Sequence, residues 1–176
     1  MTLEFLSFFT KGYKMEQKIK ELGTYCFEHD ISLEDLKVIR KELQTKQLRK
    51  EFVNNEHIQN FLNLKDKCTI TGNLKIDLYL NTLKKGNKLV TIHESEFLIL
   101  QLLMANPHKT IKDEEILSLL KTYGYDIELK SLVVYVSRIS HKIGKNTKQE
   151  KYIKRHWKQG YYWNAKVLIQ GESDFS

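Results

Sequence analysis

Ten lysines and arginines stand between Lys130 and Lys166: Lys130, Arg138, Lys142, Lys145, Lys148, Lys151, Lys154, Arg155, Lys158 and Lys166. One acid, Glu150, opposes them, so nine charges are unbalanced, more than the +7 of the whole 176-residue chain. Six aromatics, Tyr135, Tyr152, Trp157, Tyr161, Tyr162 and Trp163, are threaded among these cations. A merely solvated face would carry small polar residues there. Cations seek phosphate oxygens and flat rings supply apolar surface, so this mixture favours a nucleic-acid surface. Other chemistries find no support. The six histidines (His29, His57, His93, His108, His141, His156) lack ligand spacing, so no metal is expected. No nucleophile can be paired with a base, which leaves no catalytic residue, no enzyme activity and no cofactor to expect.

The charge is unevenly divided along the chain that must position these residues. Residues 1–64 hold ten basic and ten acidic side chains, whereas residues 65–176 hold 19 and 12. A net field on the second part alone implies that this part meets the polyanion. The length suits one ordinary domain, or a domain of about 100 residues with a smaller attachment. Cys26 and Cys68 lie 42 positions apart without a CxxC pair, so both read as reduced thiols of an intracellular chain. The opening MTLEFLSFFTKGYK contains Glu4, has no basic leading region and is too short to span a bilayer, so no membrane partner is expected.

In the neutral part, Met15, Ile19, Leu22 and Cys26 mark one amphipathic helix, and Leu36, Ile39 and Leu43 a second. Ser32 with Asp35 resembles a capping box for the second. A third short helix carries Ile58, Phe61 and Leu62. So few helices have little core of their own, so their stripes pack on the second part or on another copy of the chain. From residue 68 to 92 the pattern changes to β-prone runs separated by Gly72-Asn73 and Gly86-Asn87, which predicts a small antiparallel sheet. An apolar helix through Phe97 and Leu103 follows and ends at Asn106-Pro107, because the residue before proline is pushed out of helical dihedrals. A further helix starts near Asp113, with Asp113, Glu114 and Glu115 favouring its dipole.

The segment Glu128 to Ile143 contains Val133, Val134 and Val136, and taken alone these favour a strand. Its periodicity favours a helix: Leu129, Leu132, Val136, Ile139 and Ile143 are spaced three, four, three, four, which builds one apolar helical face. The opposite side presents Ser131, Tyr135, Arg138 and Lys142, beside Lys130, Val134, Ser137 and His141. YIKRH and YYWNA then flank a basic hairpin with its tip at Lys158, Gln159 and Gly160. The order of sheet, two helices, presented helix and basic hairpin predicts an α+β fold, a winged helix-turn-helix preceded by a short all-α region.

In these motifs residues 66–165 resemble the effector domain of the OmpR/PhoB family of bacterial transcription regulators. IHESEFLIL (92–100) is similar to that family's entry to its first helix, Asn106-Pro107 to the helix exit, and IKDEEIL (111–117) to the start of the second helix. KSLVVYVSRISHKIG resembles the recognition helix and YIKRHWKQGYYW the wing. The resemblance implies that Tyr123, Gly124, Tyr125 and Asp126 form the loop that in relatives approaches RNA polymerase, making polymerase a candidate partner. Three departures stand out: His93 replaces the usual threonine at the first helix's cap, Ser140 and His141 stand where relatives have basic residues, and Lys158 occupies the wing's first glycine. Typical relatives also carry a phosphoacceptor receiver. Only about 65 residues precede the matched region here, in a helical pattern rather than alternating strand and helix. The implied protein is an orphan, response-regulator-like chain without a phosphorylation switch, acting in a bacterial cytoplasm on the nucleoid.

The expected organisation is a helical region over 1–65 that dimerises the chain, docks a partner or regulates the DNA-binding half, a winged-helix domain over 66–167 and a flexible tail over 168–176. The partner expected is double-stranded DNA, with the helix from Lys130 to Ile143 in the major groove. Arg138 is the first choice for a base contact; Lys130, Ser131, Lys142 and the Tyr135 hydroxyl suit phosphates, Val134 a thymine methyl, and His141 shares the presented face. Lys154, Arg155 and Lys158 of the wing reach backbone or minor groove. Trp157 reads either as packing on the helix beneath the hairpin or as a nucleic-acid contact, with packing favoured. The rival class is a winged-helix module that binds protein or structured RNA without reading duplex sequence.

Overall fold

The computed structural model describes residues 24–25, 27–29, 31–65 and 67–170. The stripe of Met15, Ile19, Leu22 and Cys26 lies outside them. Residues 1–43 and 44–176 form two compact units. In the first, helix α1 (Leu33–Glu51, which runs on into the second unit) begins at the capping box read from the sequence. The Asp35 amide donates to Ser32 Oγ at 3.1 Å, and the Ser32 amide to Asp35 Oδ2 at 2.9 Å. The Ser32 hydroxyl, which donates to Asp35 Oδ2 at 2.6 Å, and then the Ser32 amide hold the Asp35 carboxyl below the usual carboxylate range.

The second unit starts earlier than a boundary at residue 65 would place it. Leu48 of α1 is fully buried, as are Ile58 and Phe61 of helix α2 (Glu56–Leu64), and all three belong to one hydrophobic core with the sheet and the later helices. Asn55 caps α2 by accepting from the Ile58 amide at 3.1 Å. Asn106, which follows helix α3 (Glu94–Met104), fastens α2 in place. Its buried side-chain amide donates to the carbonyls of Leu102 and His57, and its oxygen accepts from Asn60. An asparagine read only as part of a helix-ending Asn-Pro pair thus also satisfies three groups that burial would leave costly.

Strands β1 (Cys68–Thr71), β2 (Leu74–Asp77), β3 (Thr82–Lys85) and β4 (Lys88–Val90) form the expected antiparallel sheet, joined at Gly72-Asn73 and Gly86-Asn87. Leu74, Ile76 and Leu83 alternate into the core while Lys75 and Lys84 face outward. Helix α3 is buried almost all round, which places it at the centre of the domain. Strand β5 (Ile111–Lys112) leads into helix α4 (Asp113–Thr122), followed by helix α5 (Leu129–Ile143) and the hairpin of β6 (Ile153–His156) and β7 (Gly160–Trp163). β7 lies between β5 and β6 in a second, three-stranded sheet. This architecture is a winged helix-turn-helix.

One element was not foreseen. Residues 168–170 are no loose tail: Leu168–Ile169 form strand β8 on the free edge of β1, pairing Thr69 with Ile169 and Ile70 with Leu168, and the Gln170 amide donates to the Cys68 carbonyl. Two residues carry too little periodicity to signal a strand, and an open sheet edge supplies the template.

Candidate nucleic-acid interface

Helix α5 divides as its spacing requires. Leu132, Val136, Ile139 and Ile143 are buried, whereas Lys130, Val133, Val134, Ser137, Arg138 and His141 are exposed, with Ser131, Tyr135, Ser140 and Lys142 half-buried between. Leu129, expected in the apolar face, is the exception at 49% exposed, because it is the helix's first residue and overhangs the core. The exposed side is therefore a cationic strip with two valine methyl groups. Arg138 stands 6.0 Å from the Tyr135 ring, and Lys130 meets the exposed Glu128 at 2.9 Å.

Lys142 is held differently. Its ammonium donates to Glu96 Oε2 at 2.6 Å, and the Glu96 carboxylate is 4% exposed. The same oxygen accepts from the His93 amide, while the His93 ring accepts from the Ser95 amide. His93 thus performs the capping that the family's threonine would, and Glu96 joins that cap to the C-terminal turn of α5. Lys142 is drawn towards the base of the presented helix rather than out from it.

The wing sits beside α5 because β7 is locked to both sheets. Trp163 is fully buried, stacks on Tyr152 at 5.0 Å and donates from its indole nitrogen to Thr71 Oγ1 at 3.2 Å. The Tyr152 hydroxyl donates to Asn73 Oδ1 and receives the Asn73 amide; burial pushes its pKa up. Gly160, with φ +148, leaves no room for a side chain, since a Cβ would strike the backbone of Ile111. Between α5 and the hairpin lies an open cleft of about 450 Å³ lined by Val133, Ser137 and Ser140 on one side and Lys151, Lys154 and Arg155 on the other.

The wing's charges are largely committed within the domain. Arg155 donates to Asp113 Oδ2 at 2.7 Å and to the Tyr161 hydroxyl, with its guanidinium 4.5 Å from the Tyr161 ring centre. Lys154 donates to Glu150 at 3.0 Å, which holds the Glu150 carboxyl low. Lys158 alone of the three is fully displayed, at the tip, with φ +56. Trp157 corrects the packing expectation: it is 82% exposed, with the Lys158 ammonium 6.0 Å from its ring. Trp163 occupies the core site instead, and the turn leaves Trp157 in solvent. Spacing does not separate these two indoles, although Trp157 precedes the turn and Trp163 follows the strand-forming GYY. Lys151, not singled out from the sequence, shares the cleft with Lys154.

The loop Tyr123–Asp126 is only partly open. Tyr123 is buried and edge-on to Phe61, while the Tyr125 hydroxyl donates to Glu94 at 2.6 Å. Gly124, with φ +86, and Asp126 are exposed. Among the described residues no group of three or more His, Cys, Asp or Glu could hold a metal, and no helix is long and apolar enough to cross a membrane.

Comparison with known proteins agrees with this geometry. Residues 86–163 match the family described as "Transcriptional regulatory protein, C terminal". Among solved structures the chain is similar to the response regulator DrrB of Thermotoga maritima, described as an OmpR/PhoB homologue, at 25% identity and a TM-score of 0.50 over 61% of this chain and 49% of that one. It is also similar in fold to the DNA-binding domain of Escherichia coli CadC, at 12% identity and a TM-score of 0.50, over 60% of this chain and 98% of that one. The Klebsiella pneumoniae RstA DNA-binding domain, solved in complex with the RstA box, is 26% identical with a TM-score of 0.47 over 55% of this chain and 96% of that one. No curated protein matches the chain. The matched segment has the winged-helix fold of OmpR/PhoB-type domains and is similar to a transcription-regulator family, and the chain spans about half the length of DrrB. Among the described residues there is no receiver domain.

Proposed function

We propose that this chain is a transcription regulator that reads double-stranded DNA by sequence, with the exposed side of α5 in the major groove and the wing against the adjoining backbone and minor groove. The observation that carries the reading is the division of α5: one face buried, the other offering Lys130, Val134, Arg138 and His141 together on a rigid element. A helix so anchored fits the major groove, where each base pair shows a distinct donor and acceptor pattern. Arg138, displayed from a core-fixed turn, reaches a guanine edge; Lys130, Ser131 and the Tyr135 hydroxyl meet phosphates, and Lys158 leads the wing's contact. Control does not pass through a phosphorylated receiver in this reading, because the described residues ahead of the sheet are helical rather than alternating strand and helix. The exposed Gly124 and Asp126 are the part of their loop open to a polymerase.

The N-terminal unit pairs two copies, a role supported by Leu33 and Val38 standing exposed on α1. Sedimentation of the full chain against residues 44–176 tests this, and two monomers would end it. The shorter piece must start at residue 44, since a cut at 66 would remove α2 from the core.

Selection of duplexes from a random pool by the purified chain, followed by sequencing, tests the main reading. A repeated half-site about one helical turn apart is the expected recovery. If each subunit neutralises about four phosphates, a dimer's log affinity falls with log salt at a slope near −7, roughly 10⁴ in affinity between about 50 and 200 mM. A slope shallower than about −2, or no enriched sequence together with tight binding to structured RNA, overturns it.

A further inference from the structure

Trp157 and Lys158 form a tip that the fold itself does not need. The turn closes with the Gln159 amide donating to the His156 carbonyl at 3.1 Å, which leaves Trp157 and Lys158 as its two corner residues. At the first corner an indole stands 82% exposed, although large aromatics ordinarily bury their surface. At the second corner a lysine adopts φ +56, a left-handed backbone that glycine or asparagine fills without its steric cost. Two adjacent residues therefore break local rules with no compensation inside the domain, the pattern expected of residues retained for binding. The other tryptophan shows that the fold can bury an indole where packing calls for one, since Trp163 is fully enclosed by the same hairpin.

We infer that Trp157 is an apolar wedge for the DNA minor groove, pressed between sugar walls or into a base step beside the half-site read by α5, with Lys158 neutralising the phosphates at its edge. The inference rests on the duplex-binding reading above and adds to it a defined contact and a deformation of the DNA. The position is fixed rather than trailing. His156, immediately before the tip, bonds through Nδ1 to Thr110 Oγ1 at 2.6 Å and packs on Tyr162 at 4.6 Å, so the turn projects from a braced base. Cations stand at the foot of the same hairpin, Lys151 just before β6 and Lys154 on it, both lining the cleft towards α5. An apolar side chain flanked by cations is what a narrow groove between two phosphate rows accommodates, and a wedge there partly unstacks a step and bends the duplex.

The chain has two tryptophans and one of them is buried, so fluorescence reports Trp157 directly. The full chain is titrated with the duplex recovered by selection while acrylamide accessibility of the exposed indole is followed. Trp157→Ala and Trp157→Phe are compared in gel shift, in the salt slope and in the bend measured by circular permutation of the site. Thermal melting confirms that both variants fold, as an exposed residue requires. The expected result is shielding of Trp157 on binding, a loss of about tenfold in affinity and a smaller bend for Trp157→Ala, an unchanged salt slope, and most of the affinity kept by Trp157→Phe. Full acrylamide accessibility in the complex, or equal affinity and bend for Trp157→Ala, sinks the wedge while a steep salt slope leaves the duplex-binding reading standing. Loss of affinity for a protein or single-stranded RNA partner with none for duplex also overturns it. A wild-type chain without salt-dependent duplex binding removes both.

Discussion

Helix α5 and the wing carry comparable basic sequence, yet they spend it in opposite ways. On α5 the cations Lys130 and Arg138 are displayed, and only Lys142, at the far end, is tied to a buried carboxylate. In the wing Arg155, though exposed, is tied to Asp113 and Lys154 to Glu150, while Lys158 stands exposed at the tip. Counting charge along a sequence therefore overstates what a polyanion meets. A guanidinium already bonded to a carboxylate and a phenol must give up those bonds before it can serve a phosphate. In the proposed reading the helix provides the DNA-facing surface, whereas the wing's charge chiefly assembles the domain and leaves contact to its tip.

That contrast can be broken or sharpened by substitution. The largest effect is expected from Glu96→Ala, which removes half of the α3 capping box and strands Lys142. A loss of about 2–3 kcal/mol in urea unfolding is expected, and an effect below about 0.5 would show that the Lys142 ion pair anchors nothing. Arg138→Ala comes next and behaves oppositely: an unchanged melting temperature with about 1–3 kcal/mol lost in binding and relaxed preference at one base pair. A specificity profile identical to wild type would remove Arg138 from the base-reading role. Arg155→Ala separates the two regions most directly, with about 1–2 kcal/mol lost in stability and a salt slope that stays put. Should its slope instead drop by about 1, Arg155 contacts phosphate and the contrast drawn here fails.

Smaller effects follow at the tip and at α2. Lys158→Gly relieves the left-handed backbone and raises stability by about 1 kcal/mol, while the salt slope falls by about 1. Lower stability on chemical denaturation would contradict this. Glu115 supplies a pH test away from both regions. Burial raises its pKa, but hydrogen bonds with His57, the Lys112 amide and Asn55 outweigh burial and hold it below the ordinary carboxylate range. A lowered folded-state pKa means that Glu115 stabilises the fold fully above the ordinary carboxylate range, and that this contribution fades as the pH falls through the folded value. Glu115→Gln should therefore flatten the acid limb of the stability profile slightly, and an unchanged limb would count against the His57 and Asn55 bonds.

Repeating local patterns make the fold readable in the sequence. The three-four spacing through Leu132, Val136, Ile139 and Ile143 outweighed the strand propensity of Val133, Val134 and Val136, because one continuous apolar face needs a helix to exist. Gly72 and Gly86 marked hairpins since both adopt positive φ. Ser32 and Asp35 announced a helix start because a capping box is complete within four residues. What was not legible depends on partners far along the chain. Asn106 holds α2 through His57 and Asn60, Glu96 engages Lys142, and Asp113 engages Arg155.

The amino-acid order by itself determined the sequence of helices and strands, the confinement of net charge to the second part, and which side of α5 faces outward, all consequences of chemistry repeated at short range. Tertiary structure decided which cations remain available to a ligand, which of two indoles is buried, that α2 joins the winged-helix core and that residues 168–170 pair along the edge of its first sheet. The physical reason is that a pairing or a packing site is shared between residues about 40 to 100 positions apart, and periodicity within a single element carries no record of its partner.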